Sequence, residues 1–245
     1  MKRLLRKLVA YVAASYYRTR PIAHWPKWVA DLVGVNAPAN LRVKAAPSPD
    51  GGSNVNIIFA MIDRTRDIEG DIAECGVFRG NSLAAAALYL RQTGQGKHAF
   101  GFDSFRGFDD SVATDVALGG AASSDKRVGG FGETSLDAVA AKLQLLGVSA
   151  SVTLIPGYFA QTLERCRAGR FSFVHLDCDI YESYRQTLAH FYPRVPPGGI
   201  ILFDEYEDPP WPGCKLAVDE FLADKPERPT LIAMDNYQKY YIEKQ

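Results

Sequence analysis

The sequence predicts an α/β fold on a mostly parallel sheet with helices on both faces, and three observations carry that prediction. From residue 54 onward helical and strand-like patterns alternate, the arrangement that parallel strands and crossover helices require. Two apolar runs, F-S-F-V-H-L and G-G-I-I-L-F, read as buried strands. Each runs straight into acid: Asp177 and Asp179 follow the first, Asp204 and Glu205 the second.

The elements follow in order. N-V-N-I-I-F-A-M-I-D-R-T-R at 54–66 is helical, and D-I-A-E-C at 71–75 is a strand. A helix from Ser82 to Arg91 is rich in alanine and leucine, with Asn81 or Ser82 as its expected cap. The next strand ends at Asp103. Residues 104–134 show no steady periodicity, which marks a lid, a binding loop or a disordered stretch. A helix begins near Ser135, a strand spans 151–156, and a short helix runs to Cys166. The strand into Asp177, a helix from Tyr181 to Tyr192 and the strand into Asp204 come next. The tail reads as an antiparallel hairpin around D-N-Y-Q at 235–238.

Residues 1–53 stand apart. Residues 1–33 read as helical, interrupted by Pro21 and Pro26, and A-P-S-P-D-G-G-S at 46–53 is rich in turn formers. We expect an N-terminal helical segment and linker over 1–53, acting as lid, subunit contact or membrane-surface contact. The main domain is expected over 54–245.

The 245 residues carry 28 basic and 28 acidic side chains, so no basic surplus exists for general nucleic-acid binding. Lys2, Arg3, Arg6, Lys7, Arg18 and Arg20 all precede the first acid, Asp31. That asymmetry suggests peripheral contact with an anionic membrane such as the inner membrane. Cys75, Cys166, Cys178 and Cys214 show neither a C-x-x-C pair nor zinc spacing, so reduced thiols and a cytoplasmic location are expected. No apolar run reaches the length of a membrane span. Self-association through the N-terminal segment is a further expectation.

Adjacent parallel strands joined by a helix place both acidic clusters at the carboxyl edge of the sheet, where open α/β sheets bind ligands. Crowded carboxylates repel unless protons or a cation neutralise them. A hard divalent metal held by oxygens is therefore expected, with Asp177 and Asp204 as the best ligands and Glu205 third. Asp177 and Asp179 are the candidate catalytic carboxylates, Asp179 serving as base or reserve ligand. The alternative for these positions is helix capping, which Asp179 could supply to the 181–192 helix. His175 reads as a core residue, and His24 could reach a substrate if its segment folds over the site.

E-C-G-V-F-R-G-N-S at 74–82 is a strand-to-helix turn with Gly76 and Gly80. It lacks both the G-x-G-x-x-G fingerprint and a phosphate loop, so a pyrophosphate is not the expected ligand. Asp103, at the end of the following strand, can accept bonds from both ribose hydroxyls of a nucleoside.

Five segments in order, E-C-G-V-F-R-G, F-G-F-D-S-F-R-G-F, L-I-P-G-Y-F-A-Q-T-L, V-H-L-D-C-D-I-Y-E-S and P-G-G-I-I-L-F-D-E-Y, resemble the macrocin O-methyltransferase (TylF-like) family across residues 54–245. The resemblance implies a class I methyltransferase, Rossmann-like sheet. It also implies S-adenosylmethionine (SAM) as donor, Mg²⁺, and a sugar hydroxyl or glycosylated small molecule as acceptor. By position, Glu74, Gly76 and Gly80 line the methionine side of SAM, with Ser82 closing that loop. Asp103 holds the ribose, Ser104 and Phe105 lie beside the adenosine, and Gly157 and Tyr158 fall near the adenine edge or the active-site mouth. Glu205 stands where an aspartate is common in the family.

Two rival readings remain. D-C-D at 177–179 matches the D-x-D by which metal-dependent glycosyltransferases hold nucleotide sugars. A non-catalytic SAM-binding module would retain the fold without the reaction.

Overall fold

The computed structural model describes residues 55–119, 125–165, 169–234 and 237–245. The expected N-terminal segment with His24 and its basic residues, Cys166, and Asp235 and Asn236 of the expected hairpin lie outside them. The chain begins with α1 (Val55–Arg64), β1 (Asp71–Cys75), α2 (Asn81–Gln92), β2 (Ala99–Asp103), α3 (Ala113–Leu118), α4 (Leu136–Leu145), β3 (Val152–Pro156), α5 (Phe159–Thr162), β4 (Phe171–Leu176) and α6 (Tyr181–Phe191), and all but α3 were expected. They are followed by β5 (Ile200–Phe203), α7 (Pro212–Leu222), β6 (Thr230–Met234) and β7 (Tyr237–Glu243).

The strands form one sheet in the order β3-β2-β1-β4-β5-β7-β6. The first five are mutually parallel, and β7 pairs antiparallel with both β5 and β6. The chain steps outward from β1 to β3, then returns to lay β4 against the free side of β1. The β1/β4 junction is therefore the topological switch point, where open sheets form a ligand crevice.

Strand periodicity of two feeds two cores. Ile72, Phe173, Ile200 and Leu202 point into one, which α1, α2 and α4 cover. Ala73, Val174, Ile201 and Phe203 point into the other, beneath α6 and α7. This two-sided burial explains the unbroken apolar runs of β4 and β5. Among the described residues no helix is long and apolar enough to cross a membrane.

Local details differ from expectation in four places. The cap of α2 is the backbone of Gly80, with no side-chain bond from Asn81 or Ser82. Asp179 does not cap α6; the Tyr181 N–H donates instead to Asp115 Oδ2, at 2.9 Å, from within the stretch read as irregular. That stretch contains α3, packed on α7 and α6. The helix α7 itself was not expected from the sequence, although Pro212 occupies its first turn, a favoured place for proline. The helix expected to begin near Ser135 is α4, and the Ser135 side chain caps it by accepting the Ala138 N–H.

Candidate active site

A cavity of about 300 Å³ opens at the switch point, at the lower end of the roughly 300–1,000 Å³ typical of small-molecule pockets. Gly76, Ser82, Asp103 and Ser104 line one side, and Gly157 and Tyr158 lie farther round. Asp177 and Asp179 also line the cavity. Glu74, Gly80, Phe105, Asp204 and Glu205 stand behind this lining rather than in it.

The backbone explains why β1 ends in glycine. Gly76 has φ +94°, and a Cβ there would lie 1.6 Å from the Asp177 carbonyl oxygen. Only a residue without a side chain lets the ends of β1 and β4 meet so closely. Gly80 (φ +70°) is tight for a different reason, since its missing Cβ would strike Val139 of α4.

Asp103 organises the donor side. Its Oδ2 accepts the Phe78 N–H at 2.7 Å and its Oδ1 the Phe105 N–H at 2.6 Å. Both phenylalanines have positive φ, 48° and 54°, a conformation that side chains disfavour. One carboxylate thus braces two strained turns around the pocket. Burial raises its pKa, opposed by the N–H groups of Phe105 and Phe78. Thr134 adds a bond from outside, donating to the Phe78 carbonyl at 2.6 Å.

The acid cluster is assembled by register. Glu74 of β1 pairs with His175 of β4, and His175 with Leu202 of β5, two residues before Asp204. The buried His175 ring therefore bridges Glu74 Oε1 and Asp204 Oδ1, each at 3.2 Å. Burial opposes charge on His175, but the bonds to Asp204 and Glu74 outweigh it and raise its pKa to about 10. An imidazolium donating to both carboxylates results. The other oxygen of Asp204 meets Lys239 Nζ at 2.5 Å. Burial would raise the Asp204 pKa, yet His175 and Lys239 prevail and hold it well below the usual carboxylate range.

Its neighbours go the other way. Burial, then the charge of Asp204, pushes the Asp177 pKa up to about 7. Burial and Asp177 raise Asp179 well above its ordinary value, and burial and Asp204 do the same for Glu205. The Tyr184 hydroxyl lies 2.7 Å from the Leu176 carbonyl and 2.6 Å from Glu205 Oε2, and accepts the Asp204 N–H at 3.2 Å. One hydroxyl hydrogen cannot serve both short contacts. The Tyr184 hydrogen therefore goes to one of the two acceptors, the Leu176 carbonyl or Glu205 Oε2. Asp179 has φ +58°, and its N–H points to Glu205 Oε2 at 3.4 Å.

Five carboxylates (Glu74, Asp177, Asp179, Asp204, Glu205) thus face two cations, His175 and Lys239. Asp177, Asp204 and Glu205 each offer an oxygen within 4.8 Å of the others, an all-oxygen donor set that suits a hard divalent ion. Glu74, His175 and Asp177 form a second group of that span, but both His175 nitrogens are committed to carboxylates. Glu74 Oε2 is buried without a hydrogen-bond partner. The three-carboxylate group fits a metal; the histidine group does not.

Sequence reasoning assigned His175 to the core and passed over Lys239. Strand alternation could have placed His175 beside Glu74, whereas nothing local in the sequence directs Lys239 to Asp204. Phe108 and Phe131 form an aromatic wall with Trp211, and Glu182, Ser183 and Gln186 of α6 supply a polar one. Cys75, Cys178 and Cys214 are buried free thiols, and Cys178, between Asp177 and Asp179, lines the cavity.

The family model described as macrocin O-methyltransferase (TylF) matches residues 54–243. A tetracenomycin rhamnosyl 4'-O-methyltransferase of Streptomyces olivaceus is 31% identical, over 63% of this chain and 58% of its own length. The demethyldecarbamoylnovobiocin O-methyltransferase of Streptomyces niveus is 30% identical, over 71% of this chain and 66% of its own. The matches thus span less than two thirds of either relative. Among solved structures, the O-methyltransferase NovP aligns over 100% of both chains with a TM-score of 0.67 at 24% identity. The calicheamicin methyltransferase CalS11 aligns over 96% of this chain and 91% of its own, also at 0.67, with 20% identity. These likenesses show the fold, the mostly parallel α/β sheet of class I O-methyltransferases.

Proposed function

This chain belongs to the macrocin O-methyltransferase family, and from that premise we propose that it is a SAM-dependent, Mg²⁺-assisted O-methyltransferase of a sugar hydroxyl on a glycosylated small molecule. The observation that carries the reading is the contact of Gly76 with the Asp177 carbonyl. It sets the glycine turn beside Asp177, and Gly76, Asp177 and Asp179 line one cavity. Relatives named for methylation of a rhamnosyl unit and of a novobiocin precursor support the acceptor class. We place the reaction in the cytoplasm.

Asp103 accepts bonds from the ribose hydroxyls through lone pairs that Phe78 and Phe105 leave open. The turns it braces shape the methionine side. SAM supplies the electrophilic methyl carbon, and transfer forms a C–O bond as the C–S bond breaks. Asp177, Asp204 and Glu205 would hold a divalent ion, which when bound would act as a Lewis acid and lower the pKa of the acceptor hydroxyl. Asp179 lines the same cavity and takes the hydroxyl proton, a role for which a raised pKa suits it. Phe108 and Phe131 offer apolar faces to the acceptor, and Ser183 and Gln186 offer hydroxyl partners.

The test is methyl transfer from SAM to a panel of deoxysugar glycosides and nucleotide sugars, with and without EDTA. Turnover that EDTA abolishes and Mg²⁺ restores is expected. Full turnover in EDTA would remove the metal from the reading. Binding of nucleotide sugars but not of SAM would favour the D-x-D glycosyltransferase instead.

A further inference from the structure

Lys239 is the one cation that the C-terminal hairpin carries into the acidic cluster. The antiparallel register pairs Phe203 with Tyr240, so the next step along the two strands sets Asp204 beside Lys239. The ammonium lies 2.5 Å from Asp204 Oδ2 and donates to the Asp204 carbonyl at 3.2 Å, with its side chain only 11% exposed. Burial lowers its proton affinity, but Asp204 first, then Glu205 and Asp177, outweigh this and keep it charged.

The sheet does not need this ion pair. Four residue pairs from Ile200–Glu243 to Phe203–Tyr240 already join β5 to β7, and desolvating a charge pair for stability alone is a poor return. Its location gives it another consequence. With His175 on one oxygen of Asp204 and Lys239 on the other, that carboxylate is neutralised and fixed from both sides before any divalent ion arrives. A fixed ammonium so close to the donor oxygens repels a divalent ion and lowers the affinity of the site.

We propose that Lys239 is a built-in counter-cation that orients Asp204 and sets how tightly the carboxylate cluster takes a divalent ion. The proposal rests on the metal reading above, and its test reads metal binding rather than methyl transfer. Mn²⁺ is titrated into the full chain, without SAM or acceptor, and followed by calorimetry and by its electron paramagnetic resonance signal. Lys239→Met and Lys239→Gln remove the charge, and Lys239→Arg keeps it. Circular dichroism establishes that each variant is folded, and the glutamine variant serves if the methionine variant is not.

Both neutral variants are expected to bind Mn²⁺ about tenfold more tightly than the parent, with Lys239→Arg within about twofold of it. If the parent binds no Mn²⁺ but a neutral variant does, Lys239 has its proposed role and the metal reading of the native enzyme fails. If the parent binds and a folded neutral variant binds equally or more weakly, the Lys239 proposal is overturned and the metal reading stands. Absence of binding in all of them overturns both.

Discussion

Asp103 and Phe78 are joined by a 2.7 Å bond from the backbone N–H to the carboxylate, tying the tip of β2 to the glycine turn after β1. The same carboxylate holds Phe105 at 2.6 Å, so its removal frees two residues kept at positive φ. Asp103→Ala is expected to weaken SAM binding by about 10- to 100-fold, the effect of losing bonds to a charged group, and to lower the melting temperature. Calorimetry with SAM measures the first and thermal unfolding the second. Affinity equal to the parent's would show that this acid neither holds the ribose nor shapes the pocket.

Gly76 and Gly94 make a matched pair for testing the strand junction. Both have positive φ, but a Cβ at 76 would lie 1.6 Å from the Asp177 carbonyl oxygen, while nothing lies within 4 Å of one at 94. Gly94→Ala should cost about 1–2 kcal/mol, the backbone term alone. Gly76→Ala should exceed about 4 kcal/mol or prevent folding, because the β1/β4 contact must open. Urea unfolding compares them, and similar midpoints would mean that the two strand ends are not in contact.

The fold was legible because both faces of β4 and β5 are buried, which writes continuous apolar runs into the sequence. The meeting of Asp177 and Asp204 followed from it, since a single helix between two strands leaves them neighbours. Lys239 was hidden because only the register of β5 with β7 brings it to Asp204, and pairing over such a separation leaves no local pattern. His175 is the buried, hydrogen-bonded residue expected, but its partners were hidden for a related reason: Glu74 and Asp204 sit on two other strands. The helix α7 was obscured by W-P-G at its start. Gly213 is required there because Asp115 Oδ1 would lie 1.9 Å from a Cβ, so tertiary packing overrides helix propensity.

Asp179 and Asp204 should separate proton transfer from metal binding. Asp179→Asn removes the proposed base and is expected to lower turnover by about 10²–10⁴-fold, with SAM and Mn²⁺ affinity within about threefold of the parent. Asp204→Asn should also abolish turnover and leave SAM affinity largely intact, but it loses Mn²⁺ binding as well. Single-turnover kinetics and Mn²⁺ titration distinguish the two. If Asp179→Asn keeps full turnover, the hydroxyl proton leaves by another route.

Asp177 makes metal binding depend on pH, and the sign follows from its environment. Burial first, and Asp204 second, raise its pKa to about 7, against roughly 3.9 in an unfolded chain. Between those values the folded protein holds a proton that the unfolded chain has released. The stability linked to that proton is complete below the unfolded value and is lost as pH rises through about 7. A divalent ion requires the ionised carboxylate, so below that pH it must displace the proton. Mn²⁺ binding at about pH 6 should release close to one proton, and affinity should rise about tenfold per pH unit before levelling off near pH 7. Titration in buffers of different ionisation enthalpy reads the proton directly. An affinity independent of pH, with no proton released, would mean that Asp177 is already ionised and that His175 and Lys239 neutralise the cluster without help from a proton.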